Sequence, residues 1–186
     1  GDHLGNIGFG AKTASYFQHH IEAVFFRSHL REGTKPTFAE ATMFNTGVNR
    51  WRQFDQGPPK KTKKKQLYFA ANEKLDDVAP TTQQVYDEVV SDPNRPVPFT
   101  EEVAIGMTQA YMTDDQRFAA RRPDVLVYQT EPLQESLTIC GPLIADLHVS
   151  TSESDADWVV KLIDVLPADT KDNQYIQPGK HLSNYQ

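Results

Sequence analysis

Cysteine, long apolar runs and excess positive charge are all scarce in this sequence. Cys140 is the only cysteine among 186 residues, which excludes an internal disulfide and a cysteine-based zinc site. No apolar run approaches the roughly 20 residues that a membrane helix needs. The formal net charge of -6 argues against an extended phosphate-binding surface. We therefore expect neither nucleic acid nor a membrane among its partners.

The sequence also lacks a Gly-x-Ser-x-Gly pentapeptide, the sharp turn that exposes the nucleophilic serine of α/β-hydrolases. Its serines lie instead in polar stretches such as STSESDADW, Ser150 to Trp158, which are typical of loops. The first residues show neither the basic nor the apolar region of a signal peptide, so the sequence leaves the compartment open. No residue of this chain is predicted to be a catalytic nucleophile.

The histidines are spaced in a way that does not predict a metal site. They are His3, His19, His20, His29, His148 and His181. A zinc protease places two imidazoles one helical turn apart with a glutamate between them. His19 and His20 are adjacent and point to different sides of a helix. His29 is too far along the helix to bind the same metal ion as either of them. We predict surface or helix-interface histidines, and expect no metal and no cofactor.

Two charged runs have the composition of binding sites but simpler explanations. Lys60 to Lys65, KKTKKK, is the one dense basic run, and no interleaved aromatic residues or second basic face accompany it. Lysines at the entrance to a strand are solvated and discourage edge-to-edge aggregation. Glu153, Asp155 and Asp157 have the charge to hold calcium, but they lack the spacing and the glycine of an EF-hand loop. We predict that both runs are solvated.

The stretch MTDDQRFAARRPDVLVYQT, Met112 to Thr130, combines acids and arginines around a few apolar residues. A catalytic carboxylate pair needs two environments that push the pKa values apart, and adjacent residues of a polar loop have no evident reason to differ. Arginine readily forks onto carboxylates and carbonyls, which would fix the loop against the rest of the domain. We therefore predict a structural rather than a catalytic role for Asp114, Asp115, Arg117, Arg121, Arg122 and Asp124.

One amphipathic helix is predicted, from Lys12 to Glu32. Thr13 has the side chain of an N-cap, and Gly33 stands where a C-cap glycine is expected. Its apolar positions follow the i, i+4, i+7, i+8 pattern: Phe17, Ile21, Val24 and Phe25. Such a face has to be buried, either on the β-domain that follows or on a larger neighbour.

After Pro36 the pattern changes to short β-type runs separated by Pro, Gly, Asn and Asp, at the spacing of a β-sandwich. The polar connection from Asn72 to Gln83 and the proline-rich one from Ser91 to Phe99 would lie at the ends of the sheets. The predicted strands are Ala41 to Val48, Gln66 to Ala71, Gln84 to Val89, Asp124 to Gln129, Leu137 to Ile139, Leu143 to Ser150 and Trp158 to Val165. Weaker β signals lie near Phe54, from Val103 to Met107 and near Tyr175.

Several segments, in this order, resemble the C-terminal half of a group of bacterial serine hydrolases. They are FNTGVNRWRQFDQGPPK from Phe44 to Lys60, YDEVVSDPNRPVPFTE from Tyr86 to Glu101, the stretch from Asp114 to Pro167 that contains RPDVL, TEPL and DADWVVKLIDV, and the closing SNYQ. The group comprises the α-amino-acid ester hydrolases and glutaryl-type cephalosporin acylases, relatives of cocaine esterase and of X-Pro dipeptidyl-peptidase. The resemblance extends from Ala11 onward, and its segments are specific only in combination.

This resemblance implies a mainly β fold: a galactose-binding-like jelly-roll sandwich, cut short at its C-terminal end and preceded by one helix left over from an α/β-hydrolase domain. The implied division gives residues 1–34 to the hydrolase remnant and residues 35–186 to the jelly roll. A Ser-Asp-His triad would then lie upstream of Gly1, so that no catalytic residue is assigned in this chain, His3 included. The implied partner is the rest of the hydrolase domain of the same protein, with homo-oligomer contacts left open.

Two functional hypotheses follow from the sequence. In the first, the chain is the non-catalytic C-terminal part of a serine hydrolase of acyl or aminoacyl esters or peptides, and is inactive alone. In the second, it is a stand-alone carbohydrate-binding or adhesion module, because a jelly roll hosts many functions. The sequence does not distinguish a peptide, a β-lactam side chain or another ester as the natural substrate.

Overall fold

The computed structural model describes residues 1–5, 7–31, 38–81, 86–108 and 110–167. The β-strands of these residues form three two-stranded antiparallel sheets. The sheets pair β1 (His3–Leu4) with β2 (Ile7–Gly8), β3 (Ala41–Asn45) with β4 (Arg50–Phe54), and β5 (Tyr68–Ala70) with β6 (Lys74–Asp76). The fold is mainly β, with few helices, as the sequence predicts. No ladder among the described residues joins these sheets into one sandwich, so the jelly-roll form stays a prediction.

The predicted helix forms, but with a change of geometry in its middle. It runs through α1 (Thr13–Tyr16), a π-helical segment (Phe17–Glu22) and α2 (Ala23–Leu30) without interruption. Lys12, not Thr13, is the N-cap, because Thr13 is already helical and its hydroxyl donates a hydrogen bond to the Gly1 carbonyl (3.1 Å). The predicted C-terminus at Glu32 lies outside the described residues, as does the predicted domain boundary near residue 34, which stays a prediction.

The N-terminal part of this helix packs on the β3–β4 hairpin through aromatic rings. Tyr16 stacks on Trp51 with 5.0 Å between the ring centroids. Trp51 pairs directly across the hairpin with Phe44, and Phe44 meets Phe9 edge to face. Cross-strand aromatic pairs of this kind stabilise antiparallel strands. Phe17 remains 45% exposed, so the apolar face of the helix is only partly covered by the described residues.

The β3–β4 hairpin ends earlier than its apolar pattern suggests. The predicted strand Ala41 to Val48 begins at the right residue and stops at Asn45. The Asn45 side-chain oxygen accepts hydrogen bonds from the amides of Gly47 (3.1 Å) and Val48 (3.3 Å), which bends the chain into the turn. The weak β signal near Phe54 belongs to β4, the returning strand.

The third hairpin and the segment that bridges to it correct three predictions. The strand expected from Gln66 to Ala71 is shorter, and part of the expected polar connection after it is β6. Asn72 and Glu73 reverse the chain because both adopt positive φ, 61° and 59°. The strand expected from Asp124 to Gln129 is reduced to one parallel bridge, in which Gln129 exchanges backbone hydrogen bonds with the β6 region (2.8 and 2.9 Å).

The later predicted strands are not formed in the part of the chain described. Residues 86–89 of the strand expected from Gln84 to Val89 are irregular, and residues 84 and 85 lie outside the description. The chain is also irregular where strands were expected at Leu137 to Ile139, Leu143 to Ser150 and Trp158 to Val165, apart from an isolated bridge residue at Val165. The sequence pattern indicates which segments favour an extended, half-buried conformation. A segment forms a strand only if a neighbouring segment also pairs with it through backbone hydrogen bonds. The side chains of Ile144 (80% exposed) and Val159 (83% exposed) are open to solvent, as expected where no neighbouring strand covers this segment among the described residues.

Short helical turns occupy the charged stretch instead of a plain loop. A 3-10 helix (Ala110–Met112) precedes α3 (Arg117–Ala120), and neither was predicted. The most buried side chains of the described residues gather around these turns: Thr100 (7% exposed), Thr113 (7%), Gln116 (5%) and Ala119 (8%). The best-packed part of the described chain is therefore the stretch in which the sequence concentrates acids and arginines.

Replacing Asn45 with alanine tests the turn of the β3–β4 hairpin. Asn45→Ala removes the acceptor of two backbone amides, so we expect the free energy of unfolding to fall by about 1 kcal/mol. Thermal unfolding followed by circular dichroism measures the change. Val48→Ala, in the same turn, is the matched control because its side chain is already 52% exposed. Equal stability of Asn45→Ala and the parent chain would contradict the role given to the side chain.

Candidate functional site

Gln116 lies at the centre of the charged stretch and uses its whole side-chain amide. Its Nε2 donates to the carbonyl oxygens of Asp114 (2.8 Å) and Tyr111 (3.4 Å), and its Oε1 accepts a hydrogen bond from Lys161 Nζ (2.7 Å). Lys161 Nζ also donates to the Phe99 carbonyl (3.5 Å). The buried amide thus has partners from its own stretch and from Lys161, and Lys161 in turn reaches the segment at Phe99.

The ammonium group of Lys161 is held in a partly desolvated position. The residue as a whole is exposed, but its Nζ lies 2.7 Å from Gln116 Oε1 and 5.8 Å from the centroid of the Phe118 ring. Burial lowers the pKa of Lys161, because a charged ammonium loses hydration there. Its hydrogen-bond acceptors in the described part of the chain are the Gln116 amide oxygen and the Phe99 carbonyl, so this contact anchors the loop through neutral acceptors.

The arginines of the stretch fork onto neighbouring carboxylates, as the sequence predicts. Arg122 bonds both oxygens of Asp124 (2.8 and 2.6 Å) and also the Arg95 carbonyl (2.9 Å). Arg117 binds Asp115 through Nε (2.7 Å) and its terminal nitrogen, and its amide donates to the same carboxylate (2.9 Å). These contacts fix the loop to itself and to the proline-rich connection.

This arrangement is unsuited to acid–base catalysis. The Arg122 guanidinium lowers the pKa of Asp124 below its ordinary value, and Asp124 raises the pKa of Arg122. A carboxylate that is held ionised by an arginine is a weak base and does not donate a proton near neutral pH. Asp114 contributes its carbonyl to Gln116, and Arg121 is exposed. The structure brings the predicted residues together in pairs and not around one reaction centre.

The helix histidines bond to the backbone of their own helix. The Nδ1 atoms of His19, His20 and His29 lie 2.7, 3.2 and 2.8 Å from the carbonyl oxygens four residues earlier. His20 also stacks on Tyr16, with centroids 4.5 Å apart. His148 is exposed, and His181 lies outside the described residues. Within the described ranges, no group of three or more His, Cys, Asp or Glu residues is placed to hold a metal ion.

The remaining candidates lie on the surface or in packing contacts. All five lysines of the run from Lys60 to Lys65 are exposed, as are Glu153, Asp155 and Asp157. Cys140 is half-buried, and its Sγ lies 3.7 Å from Met43 Sδ. The helices among the described residues are too short or too polar to cross a membrane.

An open depression of about 530 Å³ lies between the helix and the β3–β4 hairpin. Its walls include the rings of Phe9, Phe17, Phe44 and Trp51. Gln18 and Glu22 line it from the helix side. Sequence reasoning assigned Phe17 to a helix face and Phe44 to a strand, and gave Phe9 and Trp51 no place in either element. It did not bring the four rings together, because helix and hairpin are separated by residues with no pairing signal.

Two interactions escaped sequence reasoning altogether. Tyr128 donates a hydrogen bond to Asp87 (2.5 Å) and packs on Phe69, and burial followed by the Asp87 carboxylate raises the pKa of Tyr128 to about 12. The Gln116–Lys161 contact is the second. Its one sequence signal is Lys161 itself, a charge within the otherwise apolar run WVVKLIDV.

Comparisons with known proteins place these features in a family context. The family described as the X-Pro dipeptidyl-peptidase C-terminal non-catalytic domain matches residues 31–181. Cocaine esterase of Rhodococcus sp. (strain MB1 Bresler) is 31% identical over 162 residues, which are 79% of this chain and 27% of that protein. A protein of Mycobacterium bovis assigned as a serine esterase is 27% identical over 156 residues, covering 82% of this chain and 23% of its own length.

A solved structure is also similar. The crystal structure of an aminopeptidase from the marine sediment archaeon Thaumarchaeota archaeon superposes with a TM-score of 0.64 at 34% identity, over 72% of this chain and 23% of that one. The chain thus spans about a quarter of the length of the proteins it matches.

Removing the Lys161 ammonium tests the contact that joins the three segments. Lys161→Met keeps most of the stem but leaves the buried Gln116 oxygen without its donor, so we expect a loss of about 1 kcal/mol in unfolding free energy. Chemical denaturation measures it, with the exposed Lys63→Met as the matched control. A loss no larger than that of the control would show that Gln116 does not depend on Lys161.

The Arg122–Asp124 pair predicts a stability loss on the acid side. Because the folded pKa of Asp124 is lowered, its contribution is present above its ordinary value of 3.8 and is lost as the pH falls through the folded pKa. We expect Asp124→Asn to be less stable than the parent at neutral pH and to approach it in acid. Melting temperatures across this pH range provide the measurement, with the exposed Asp55→Asn as control. Parallel pH curves for Asp124→Asn and the parent chain would contradict this assignment.

Proposed function

The chain belongs to the family of the X-Pro dipeptidyl-peptidase C-terminal non-catalytic domain, and we propose that it serves a serine hydrolase that cleaves acyl or aminoacyl esters or peptide bonds. The observation that carries this proposal is the family match over residues 31–181. Esterases and an aminopeptidase among the similar proteins support the reaction class, because each name describes hydrolysis at a carbonyl carbon.

The proposal places the catalytic triad on a hydrolase domain that precedes this chain. In that domain a serine attacks the carbonyl, a histidine transfers the proton, an aspartate orients the histidine, and backbone amides hold the oxyanion. The paired state of the charged stretch supports this division of roles, because its arginines and acids are already bound to each other. The role of this chain is then to pack on the catalytic domain.

Exposed apolar side chains support packing against such a domain. Leu30 at the end of α2 is 78% exposed, and Phe26 one turn earlier is 52% exposed. Val159 and Ile144 are similarly open to solvent in the region of the predicted later strands. Large apolar side chains grouped on one helix end are typical of surfaces that contact protein. We propose that the hydrolase domain of the same protein covers the helix end.

Hydrolysis assays test the proposal. The 186-residue chain is expected to turn over neither p-nitrophenyl acetate nor glycyl-prolyl-p-nitroanilide. The product of the whole gene is expected to cleave at least one of them and to lose this activity with a serine-directed sulfonyl fluoride. Release of nitrophenol or nitroaniline is followed by absorbance, with heat-denatured protein as the control.

Two outcomes would contradict the proposal. Inhibitor-sensitive turnover by the 186-residue chain would place a nucleophile within it. Absence of hydrolysis by the whole gene product, combined with saturable binding of the chain to a glycan array, would favour the carbohydrate-binding alternative.

A further inference from the structure

Lys161 differs from other lysines of the described residues in what surrounds its Nζ. This atom donates hydrogen bonds to two uncharged oxygens, Gln116 Oε1 (2.7 Å) and the Phe99 carbonyl (3.5 Å). By contrast, the Nζ atoms of Lys65 and Lys74 lie 3.9 and 3.0 Å from carboxylate oxygens. Lys161 therefore loses hydration without gaining an ion-paired acid among the described residues.

The two acceptors match the hydrogen-bonding capacity of an uncharged amine. An ammonium group has three N–H donors, whereas a neutral amine has two N–H donors and one lone pair. The Gln116 and Phe99 oxygens accept from both donors of the neutral form, which leaves its lone pair for a new bond. The Phe118 ring, 5.8 Å from Nζ, lies near the outer limit of a cation–π contact and attracts the charged form only weakly.

The electrostatic surroundings favour the uncharged form of Lys161 in the same direction. Burial lowers the pKa of Lys161, because the ammonium loses hydration. Two carboxylates of the stretch that it contacts, Asp115 and Asp124, are already ion-paired with Arg117 and Arg122. The amine and not the ammonium is the nucleophilic form of a lysine, and desolvation is one of the ways in which proteins activate it.

Solvent reaches the segment that carries Lys161. The residue as a whole is exposed, and its neighbours Val159, Val160 and Leu162 are 83%, 55% and 55% exposed. Among the described residues, no sheet covers this segment. A small reagent in solution therefore has access to the side chain, although the amine at its end is held by two hydrogen bonds.

We propose that Lys161 is a site of acylation by small acyl phosphates. The neutral Nζ attacks the carbonyl carbon, a C–N bond forms, the C–O bond to phosphorus-bound oxygen breaks, and phosphate leaves with the electron pair while one Nζ proton passes to solvent. The resulting amide has one N–H, which keeps the bond to Gln116 and gives up the bond to Phe99. Acylation also removes the positive charge. The proposal does not rest on the hydrolase function, because the reaction uses no serine of the protein.

Acetyl phosphate tests the proposal on the full 186-residue chain at about pH 8, with peptide mass spectrometry to follow each lysine over time. We expect Lys161 to be acetylated about threefold or more faster than the exposed Lys63, because more of it is in the amine form. Lys74 should react more slowly than Lys63, since its hydrogen bond to Glu131 raises its pKa. In concentrated guanidinium chloride the three rates should converge. A Lys161 rate at or below that of Lys63 in the folded chain, or a ratio that persists in denaturant, would overturn the proposal.

The pH dependence of the two rates separates amine activation from simple accessibility. The ratio of the Lys161 rate to the Lys63 rate should fall as the pH rises through the lowered pKa of Lys161 toward the ordinary value of 10.5, because Lys63 then also becomes an amine. Rates are measured from about pH 8 to about pH 11, with circular dichroism at each pH to confirm the fold. A ratio that stays constant over this range would show that access alone sets the Lys161 rate, and would contradict the proposed activation.

Discussion

The hydrogen bond between Gln116 Oε1 and Lys161 Nζ is the constraint on which the best-packed part of the chain depends. It joins residues 45 positions apart, and the same ammonium reaches the Phe99 carbonyl. A buried amide without partners costs more than a paired one contributes, so the surrounding backbone has to close around Gln116. The short helices beside it and the buried threonines follow from this closure. The Arg122 contact with the Arg95 carbonyl then fastens the proline-rich connection to the same region.

The density of charge in this region is a poor guide to catalysis for a physical reason. Arginine and aspartate two residues apart satisfy each other within one turn of chain, and the pairing keeps the acid ionised. A catalytic carboxylate needs an environment that leaves it able to exchange a proton near neutral pH. The residue types alone predicted that arginines of this stretch bind neighbouring carboxylates, and Arg117 and Arg122 do so. It could not identify Gln116, because an uncharged side chain in a charged run carries no pattern of its own.

The sequence was most informative where one periodicity dominates. The apolar spacing from Phe17 to Phe25 predicted the helix, and the first residue of β3 was placed correctly. Elsewhere the predicted strand ends were wrong at turns. The Asn45 side chain ends β3 early. The positive φ angles of Asn72 and Glu73 form a hairpin in a stretch whose composition predicts a polar loop. The later strands failed for another reason. Their pattern shows which side chains favour burial, but pairing depends on a neighbour that the pattern does not specify.

The π-helical segment and the packing of the helix on the hairpin are two aspects of one constraint. A π-turn is uncommon in a helix and persists only where its surroundings hold it in place. Here the Gly1 carbonyl fixes the helix start, and Tyr16 is held on Trp51 just before the segment begins. With the start fixed, the extra residue in the turn rotates everything that follows, which sets Glu22 on the side of Phe17 and turns Phe26 and Leu30 toward solvent. The same local change of geometry thus shapes the aromatic depression and decides which face of α2 stays exposed among the described residues.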